Sequence, residues 1–382
     1  MIRILKASPY YESYFHDFFR NHPEAESFNY NQLITSIFNE AIGWSNFWKI
    51  NLEKDSKFEV IEIISNSYKL QTLWAKENSI SYKEDNWLED ILEAQVQYYN
   101  PDIFFPHDYV NINSKLIYKI RQKVKSIKLV ISYDGFGLGD SKRFNGSDLI
   151  ISCAQFICDF YSKNGYKTWY MPFGFEPGIL DRLVIQSPKH EVSFCGSVIV
   201  REQFHNQRLR LLSEISSVIP LTLWASNLPK YWQPWKLDQL RRLKRGKFQE
   251  FIDVYRLASI NLGSKSGINM YQALADSRFT LNQHIDVSYN VAGNSRLTEA
   301  TGVGTCLITD HKDNISEFFE PDIEIITFKS ADEARDKLKY LSNNESERKK
   351  IAEAGQKRTL KEHTFYLRMK DLSDEITRIL NT

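Results

Sequence analysis

Arg296 and Glu299 stand one helical turn apart in "AGNSRLTEATGVGTCLITD" (292–310), where a polar turn runs into a short helix, a glycine corner and an apolar strand. Asn294 or Ser295 supplies an N-cap, so the pattern predicts a helix beginning at Ser295 or Arg296. Amides at that terminus and the positive end of the helix dipole suit a diphosphate, to which Arg296 would add a charged fork. Glu299 can only accept hydrogen bonds and repels phosphate, so it suits hydroxyl groups such as those of a ribose. Gly302 and Gly304 allow a tight turn into Cys306-Leu307-Ile308. A plainer reading of the pair stands beside this one: Glu299 complements the dipole and Arg296 solvates a face.

Other stretches offer chemistry with a structural alternative. In "ISYDGFGLGD" (131–140), Asp134 ends a strand and precedes glycines, where it could face a cleft and orient an acceptor hydroxyl; it could equally make an Asx turn. The Gly-x-Gly of that stretch is too short for a dinucleotide fingerprint. His107, in "FFPHDY", follows a strand in a similar position and is either an acid/base group or a structural histidine. His363 in "KEHT" lies near a helix end and reads as a cap or packing residue. "KYWQPWKLDQLRRLKRGK" (230–247) holds seven cations against one Asp, with Trp232 and Trp235 nearby. It reads as an amphipathic basic helix that either rests on an anionic membrane surface or is a solvated surface helix.

The elements that must position these residues alternate. Apolar runs at 2–6, 58–65 and within "PDIFF", "SIKLVISYDG" and "SDLIIS" read as strands, and helical periodicity fills the intervals. Asn-Pro after "QVQYY" and Asn-Gly after "DFYSK" mark helix ends. The alternation pauses around Pro172–Pro188 and restarts with "EVSFCGSVI", "LTLWAS" and "IEIITF" (323–328), after which the chain reads as helical. Such alternation predicts parallel sheets with helices on both faces, ligands lying beyond the carboxyl ends of the strands. The expected division is 1–180, 188–362, and a C-terminal helix over 363–382 that packs back toward the first domain.

Composition narrows the class. The chain has 382 residues, a formal net charge of +1 and 14% aromatic residues. That charge argues against a nucleic-acid partner. Cys153, Cys158, Cys195 and Cys306 lack zinc-ligand spacing and form no disulfide framework. With no signal-peptide core and no membrane-length apolar run, the expected location is the cytoplasm, at the inner face of the membrane if 230–247 binds lipid.

Several segments, in order, resemble the bacterial glycosyltransferases related to the spore maturation protein CgeB, within the wider group having the GT-B fold. "GNSRLTEATGVGTCLITD", with "LADSRFTLNQHID" before it and the run from "EFFEPDIEIITF" to "KEHT" after it, resembles that family's C-terminal half. "VSFCGSVIVREQFHNQRLRLL" is similar to its Phe-x-Gly-Ser strand and the His-x-x-Arg helix that follows, here His205 and Arg208. "DLIISCAQFICDFYSKNGYKTWYMPFGFEP" resembles the end of its first domain. The match spans 148–368 and weakens over 1–130.

This resemblance implies two Rossmann-like domains facing across a cleft, with C-terminal helices closing back. A nucleoside diphosphate sugar would be held by the second domain and a glycan, lipid-linked or other hydroxyl acceptor by the first. The transfer would be retaining, with no bound metal and no cofactor, in surface polysaccharide or glycoconjugate synthesis. Glu299 would meet the ribose hydroxyls, and Arg296 with the amides near Asn294 and Ser295 would hold phosphate. Gly196 and Ser197 would let the phosphates approach the backbone. One position departs from the pattern: relatives in the large retaining group carry a second glutamate where this chain has Val291. Asn282, His284 or Asp286 would then have to read the sugar. A nucleotide-sugar epimerase and a non-catalytic glycan- or nucleotide-binding relative are the alternatives.

Overall fold

A computed structural model describes residues 1–135, 139–199, 205–228 and 248–381. The chain divides into two units, Met1–Pro172 with Phe365–Thr382, and Phe173–Thr364. Each is an α/β unit built on a parallel sheet, as the alternation predicts.

In unit 1 the apolar runs are too dense for a one-sided sheet, and they become strands covered on both faces. In chain order the main elements are β1 (Ile2–Ser8), α1 (Glu12–Asn21), α2 (Tyr30–Asn39), α3 (Phe47–Leu52), β2 (Phe58–Ile64), α4 (Tyr68–Glu77) and α5 (Trp87–Tyr99). They continue with β3 (Ile103–Pro106), α6 (Ser114–Lys123), β4 (Leu129–Tyr133), β5 (Leu149–Ser152), α7 (Gln155–Lys163) and β6 (Thr168–Tyr170). Local signals set several boundaries. Asn29 and Gln32 form a reciprocal capping box that starts α2. Asn100, at φ 46°, ends α5 in the left-handed region before Pro101. The first helical stretch is correspondingly split, because Pro23 opens a 3-10 turn between α1 and α2.

The strand order among the described residues is β2-β1-β3-β4-β5-β6. The chain thus leaves β1 to one side and returns on the other, so the junction of β1 and β3 is the switch point where such sheets receive ligands. The last helix, Phe365–Leu380, belongs to this unit. It buries Phe365, Met369, Leu372 and Ile376 and packs on α3, with the rings of Phe365 and Phe47 5.1 Å apart.

Unit 2 repeats the plan with β7 (His190–Ser197), α8 (Asn206–Ser216), β8 (Leu221–Ser226), α9 (Phe248–Ile260), α10 (Gly267–Ala275), β9 (Ser277–Asn282), α11 (Arg296–Gly302), β10 (Cys306–Asp310), β11 (Ile326–Phe328), α12 (Ala331–Asn343) and α13 (Glu345–Glu362). Its order is β11-β10-β9-β7-β8, which places the switch point between β7 and β9. Only 326–328 of the expected strand 323–328 is extended. Asp322, at φ 61°, turns the chain and its amide donates to the Ile325 carbonyl, while Ile325 is buried in a separate cluster under α11.

Candidate functional site

At the unit 2 switch point the strand ends carry the polar residues. Gly196 and Ser197 close β7, Asn282 closes β9, and Asp310 closes β10. The helix α11 docks against them through Arg296, whose Nη2 donates to the Cys195 carbonyl at 3.0 Å while Nη1 lies 2.9 Å from Glu299 Oε2 and 3.0 Å from Met270 Sδ. The guanidinium is therefore spent on fixing the helix to β7 and pairing Glu299, and its side chain is only 14% exposed. Glu299 retains 12% side-chain exposure while its Oε2 is fully buried. The expected N-cap differs in detail: Ser295 has helical dihedrals and no side-chain cap, its carbonyl accepting from the amides of Thr298 and Glu299 instead. Gly304, at φ +83°, makes the left-handed turn from α11 into β10.

The amides of Asn282 and Asn294 face each other, Asn294 Nδ2 donating to Asn282 Oδ1 at 3.0 Å. Asn282 Nδ2 also donates to Thr309 Oγ1 at 2.9 Å. His284 is buried, with Nδ1 2.7 Å from Asp310 Oδ1 and Nε2 accepting from the Gly293 amide at 3.4 Å. These partners assign the Nδ1–H tautomer. Burial alone would raise Asp310, but hydrogen bonds from His284 and the Lys312 charge bring it down to about 2. Asp286 accepts from the amide of Asn206 at 3.0 Å and so caps α8; burial outweighs the amides and raises its pKa. Asn282 and His284, two of the residues named for reading a sugar, are thus engaged with the protein itself, whereas Asp286 keeps a buried Oδ1 with no hydrogen-bond partner among the described residues.

Beside this cluster lies a pair reached only through the resemblance. His205 Nδ1 accepts from the Ile199 amide at 2.8 Å, and Arg208 Nη1 donates to the Ser197 carbonyl at 2.8 Å. Arg208 Nη2 donates to the Gln283 carbonyl. Burial and the Arg208 charge pull His205 to about 4, and burial pulls Arg208 to about 10 against the attraction of Asp310 and Asp286.

Unit 1 carries a different cluster at its own switch point. Lys6 on β1 and Glu62 on β2 are register partners, fully buried, with Nζ 2.9 Å from Oε2. Taking two charges out of water costs several kcal/mol each unless they pair and are further hydrogen-bonded. Glu62 Oε1 accordingly accepts from the Lys49 amide, and the rings of Trp44 and Trp48 lie 5.8 and 5.7 Å from the ammonium. His107 stacks on Trp44 with centroids 4.6 Å apart, and its Nδ1 lies 3.2 Å from Ser8 Oγ. Burial and the Lys6 charge hold its imidazole well below the usual histidine range, so it is neutral near pH 7. Asp134 lies one strand further along, fully buried, paired with Arg143 and accepting from Tyr161 Oη at 2.8 Å. His107 and Asp134 therefore occupy distinct settings.

Residues 207–374 match the family described as "Glycosyl transferase-like". No curated protein matches the chain. Among solved structures, a glycosyltransferase from Rickettsia africae is 12% identical, with a TM-score of 0.59 over 99% of this chain and 98% of that one. Sucrose-phosphate synthase from Thermosynechococcus elongatus is 9% identical, with a TM-score of 0.59 over the whole of both chains. Anabaena HepE in complex with UDP-glucose is 10% identical, with a TM-score of 0.58 over 99% of this chain and 100% of that one. At such identities the likeness establishes a shared fold.

The glycosyl transferase-like region holds α11, with Arg296 and Glu299, and the ends of β9 and β10; Gly196 and Ser197 lie just before it. His363 Nε2 contacts the Phe318 carbonyl at 2.8 Å and packs against the Phe319 ring, a structural role within unit 2. The four cysteines are free and buried. Among the described residues no acidic, His or Cys cluster is arranged for a metal ion, and no helix is long and apolar enough to cross a membrane. The basic segment 230–247 lies outside the described residues. The Lys6–Glu62 pair escaped the sequence reading, although a charge late in each of the apolar runs "IRILKAS" and "FEVIEII" was a signal for it.

Proposed function

We propose that this chain is a glycosyltransferase that moves a sugar from a nucleoside diphosphate sugar to a hydroxyl acceptor. The observation that carries the reading is Glu299. Its carboxylate, paired with Arg296 on the helix that docks on β7, sits beside the β7/β9 switch point, in a segment matched by a glycosyl transferase-like family and in a fold shared with a protein solved with UDP-glucose. A carboxylate oxygen there accepts from the ribose hydroxyls of the donor. The buried Arg296 fixes the helix that carries Glu299 and adds positive potential under the diphosphate. Gly196, Ser197 and the backbone at Asn294–Ser295 line its path, and the Asn282–Asn294 amide pair with His284 and Asp310 keeps that loop in place.

As the glycosidic bond breaks, charge grows on the leaving diphosphate, and preorganised donors act most strongly on that charge. The acceptor is held by unit 1, where the neutral His107 can orient its hydroxyl by hydrogen bonding; Asp134, locked by Arg143 and Tyr161, positions the adjoining strand end. The transfer is retaining and runs without a resident metal or cofactor, in surface glycan or glycoconjugate synthesis in the cytoplasm, with 230–247 resting on an anionic membrane.

Calorimetric titration with UDP and UDP-glucose, comparing the wild type with Glu299→Ala, tests the donor assignment. Losing a charged acceptor for ribose hydroxyls should weaken binding by roughly tenfold to a hundredfold. Equal affinity in the two proteins would remove Glu299 from the site. Val291 keeps one further reading in view, a relative that binds the nucleotide without transferring sugar; donor binding without turnover across an acceptor panel would favour it. Conversion of the donor sugar with no acceptor present would instead indicate an epimerase.

A further inference from the structure

The loop that joins β9 to α11 holds one residue in a conformation its side chain does not favour. Tyr289 has φ 54° and ψ −138°, and the Val291 amide donates to the Ser288 carbonyl at 3.2 Å. Those dihedrals and that bond describe a type II′ turn with Tyr289 at its first central position, where the positive φ calls for glycine. A bulky side chain at such a φ is strained. The conformation persists because the turn is clamped to the segment after β10. Lys312 Nζ donates to the Tyr289 carbonyl at 3.1 Å, the Asp313 amide donates to the Asn290 carbonyl at 3.0 Å, and Asn314 bonds both backbone groups of Ala292.

Each of these clamps engages the backbone of 289–292, so a glycine at 289 would make them equally well and without strain. Tyr289 is 65% exposed, so burial does not account for its place there. What the position gains over glycine is the aromatic ring, and strained residues of this kind gather where ligands are gripped.

The direction of α11 indicates which part of a ligand the ring meets. Glu299, assigned to the ribose, lies four residues beyond Ser295. That is about 6 Å along the helix axis from the terminus that faces the diphosphate. The diphosphate joins ribose to sugar. With the ribose on the helix side, the transferred sugar lies on the other, where the chain from Tyr289 to Gly293 approaches the helix. A pyranose has a face of C–H groups that suits an aromatic ring, and its hydroxyl rim stays available to polar groups.

We propose, on the donor reading above, that Tyr289 is a specificity-determining residue for the donor sugar, its ring packing against the C–H face of the pyranose.

The test compares UDP with UDP-glucose by calorimetry on the full chain, for the wild type, Tyr289→Gly and Tyr289→Phe. Tyr289→Gly should bind UDP as the wild type does and UDP-glucose about threefold to tenfold more weakly. Tyr289→Phe keeps the ring and should keep wild-type affinity for both. Because glycine relieves the turn, Tyr289→Gly should also melt at least as high as the wild type. An unchanged UDP-glucose affinity in Tyr289→Gly overturns the proposal. So does an equal loss for UDP and UDP-glucose, which would put the ring on the nucleoside. A melting temperature clearly below that of the wild type would make the ring a packing group and overturn it as well. A wild type that binds neither probe would instead fail the donor reading itself, and the sugar contact with it.

Discussion

His205 shows how a single buried side chain ties stability to pH. In the folded chain it titrates near 4, pulled down by burial and by Arg208, against about 6.5 for an unfolded histidine. Between those values the unfolded chain binds more protons, so acidification through that window favours unfolding and the lost stability returns above it. His205→Asn keeps an acceptor for the Ile199 amide and removes the titration. The denaturant midpoint of the variant should fall less between pH 6.5 and 4 than that of the wild type; parallel slopes would refute the assignment. A second residue test is steric. A Cβ on Gly355 of α13 would press into the carbonyl of Glu324, which is backbone and cannot swing away. Gly355→Ala should therefore cost about 1–3 kcal/mol in unfolding free energy, the range for overpacking, despite the better helix propensity of alanine. The residues now grouped at the unit 2 strand ends could be singled out in sequence by type, but their partners could not. Asn282, His284 and Asp286 were all plausible sugar readers as types.

At the scale of elements, strands and helices were legible wherever an apolar run or a cap was local. β8 and β2 lie where their sequences put them, and so do α7 and its Asn-Gly end. The failures have tertiary causes: 323–325 is apolar because Ile325 fills the cluster under α11, not because it pairs in a sheet. The last helix makes the strongest element prediction. It buries four large apolar side chains in unit 1, each worth roughly 1.5 kcal/mol of burial, so the helix contributes on the order of 6 kcal/mol. That is comparable to the whole stability of a domain. Ending the chain at Thr364 should leave unit 1 open to limited proteolysis while unit 2 resists it. Equal protection of unit 1 in the truncated and full chains would contradict this account.

For the whole molecule, there are two sheets each with its own switch point, and the effects of a ligand bound at one of them should be confined accordingly. On addition of UDP, hydrogen exchange should slow in β7, in β9 and across 293–302 and stay unchanged in β2 and α4, because a ligand stabilises only the structure it binds. Protection confined to unit 1 would place the nucleotide elsewhere. The net charge of +1 means that any attraction to an anionic surface has to come from a local patch and not from the molecule's overall field.

Because α3 of unit 1 takes its packing partner from residues 365–380, the route by which the chain is made matters. A ribosome delivers all of 173–364 before that helix emerges, so unit 2 can mature while α3 still waits with its apolar face bare. Nascent chains stalled in that interval are natural clients for a chaperone, and slow elongation there would prolong the exposure.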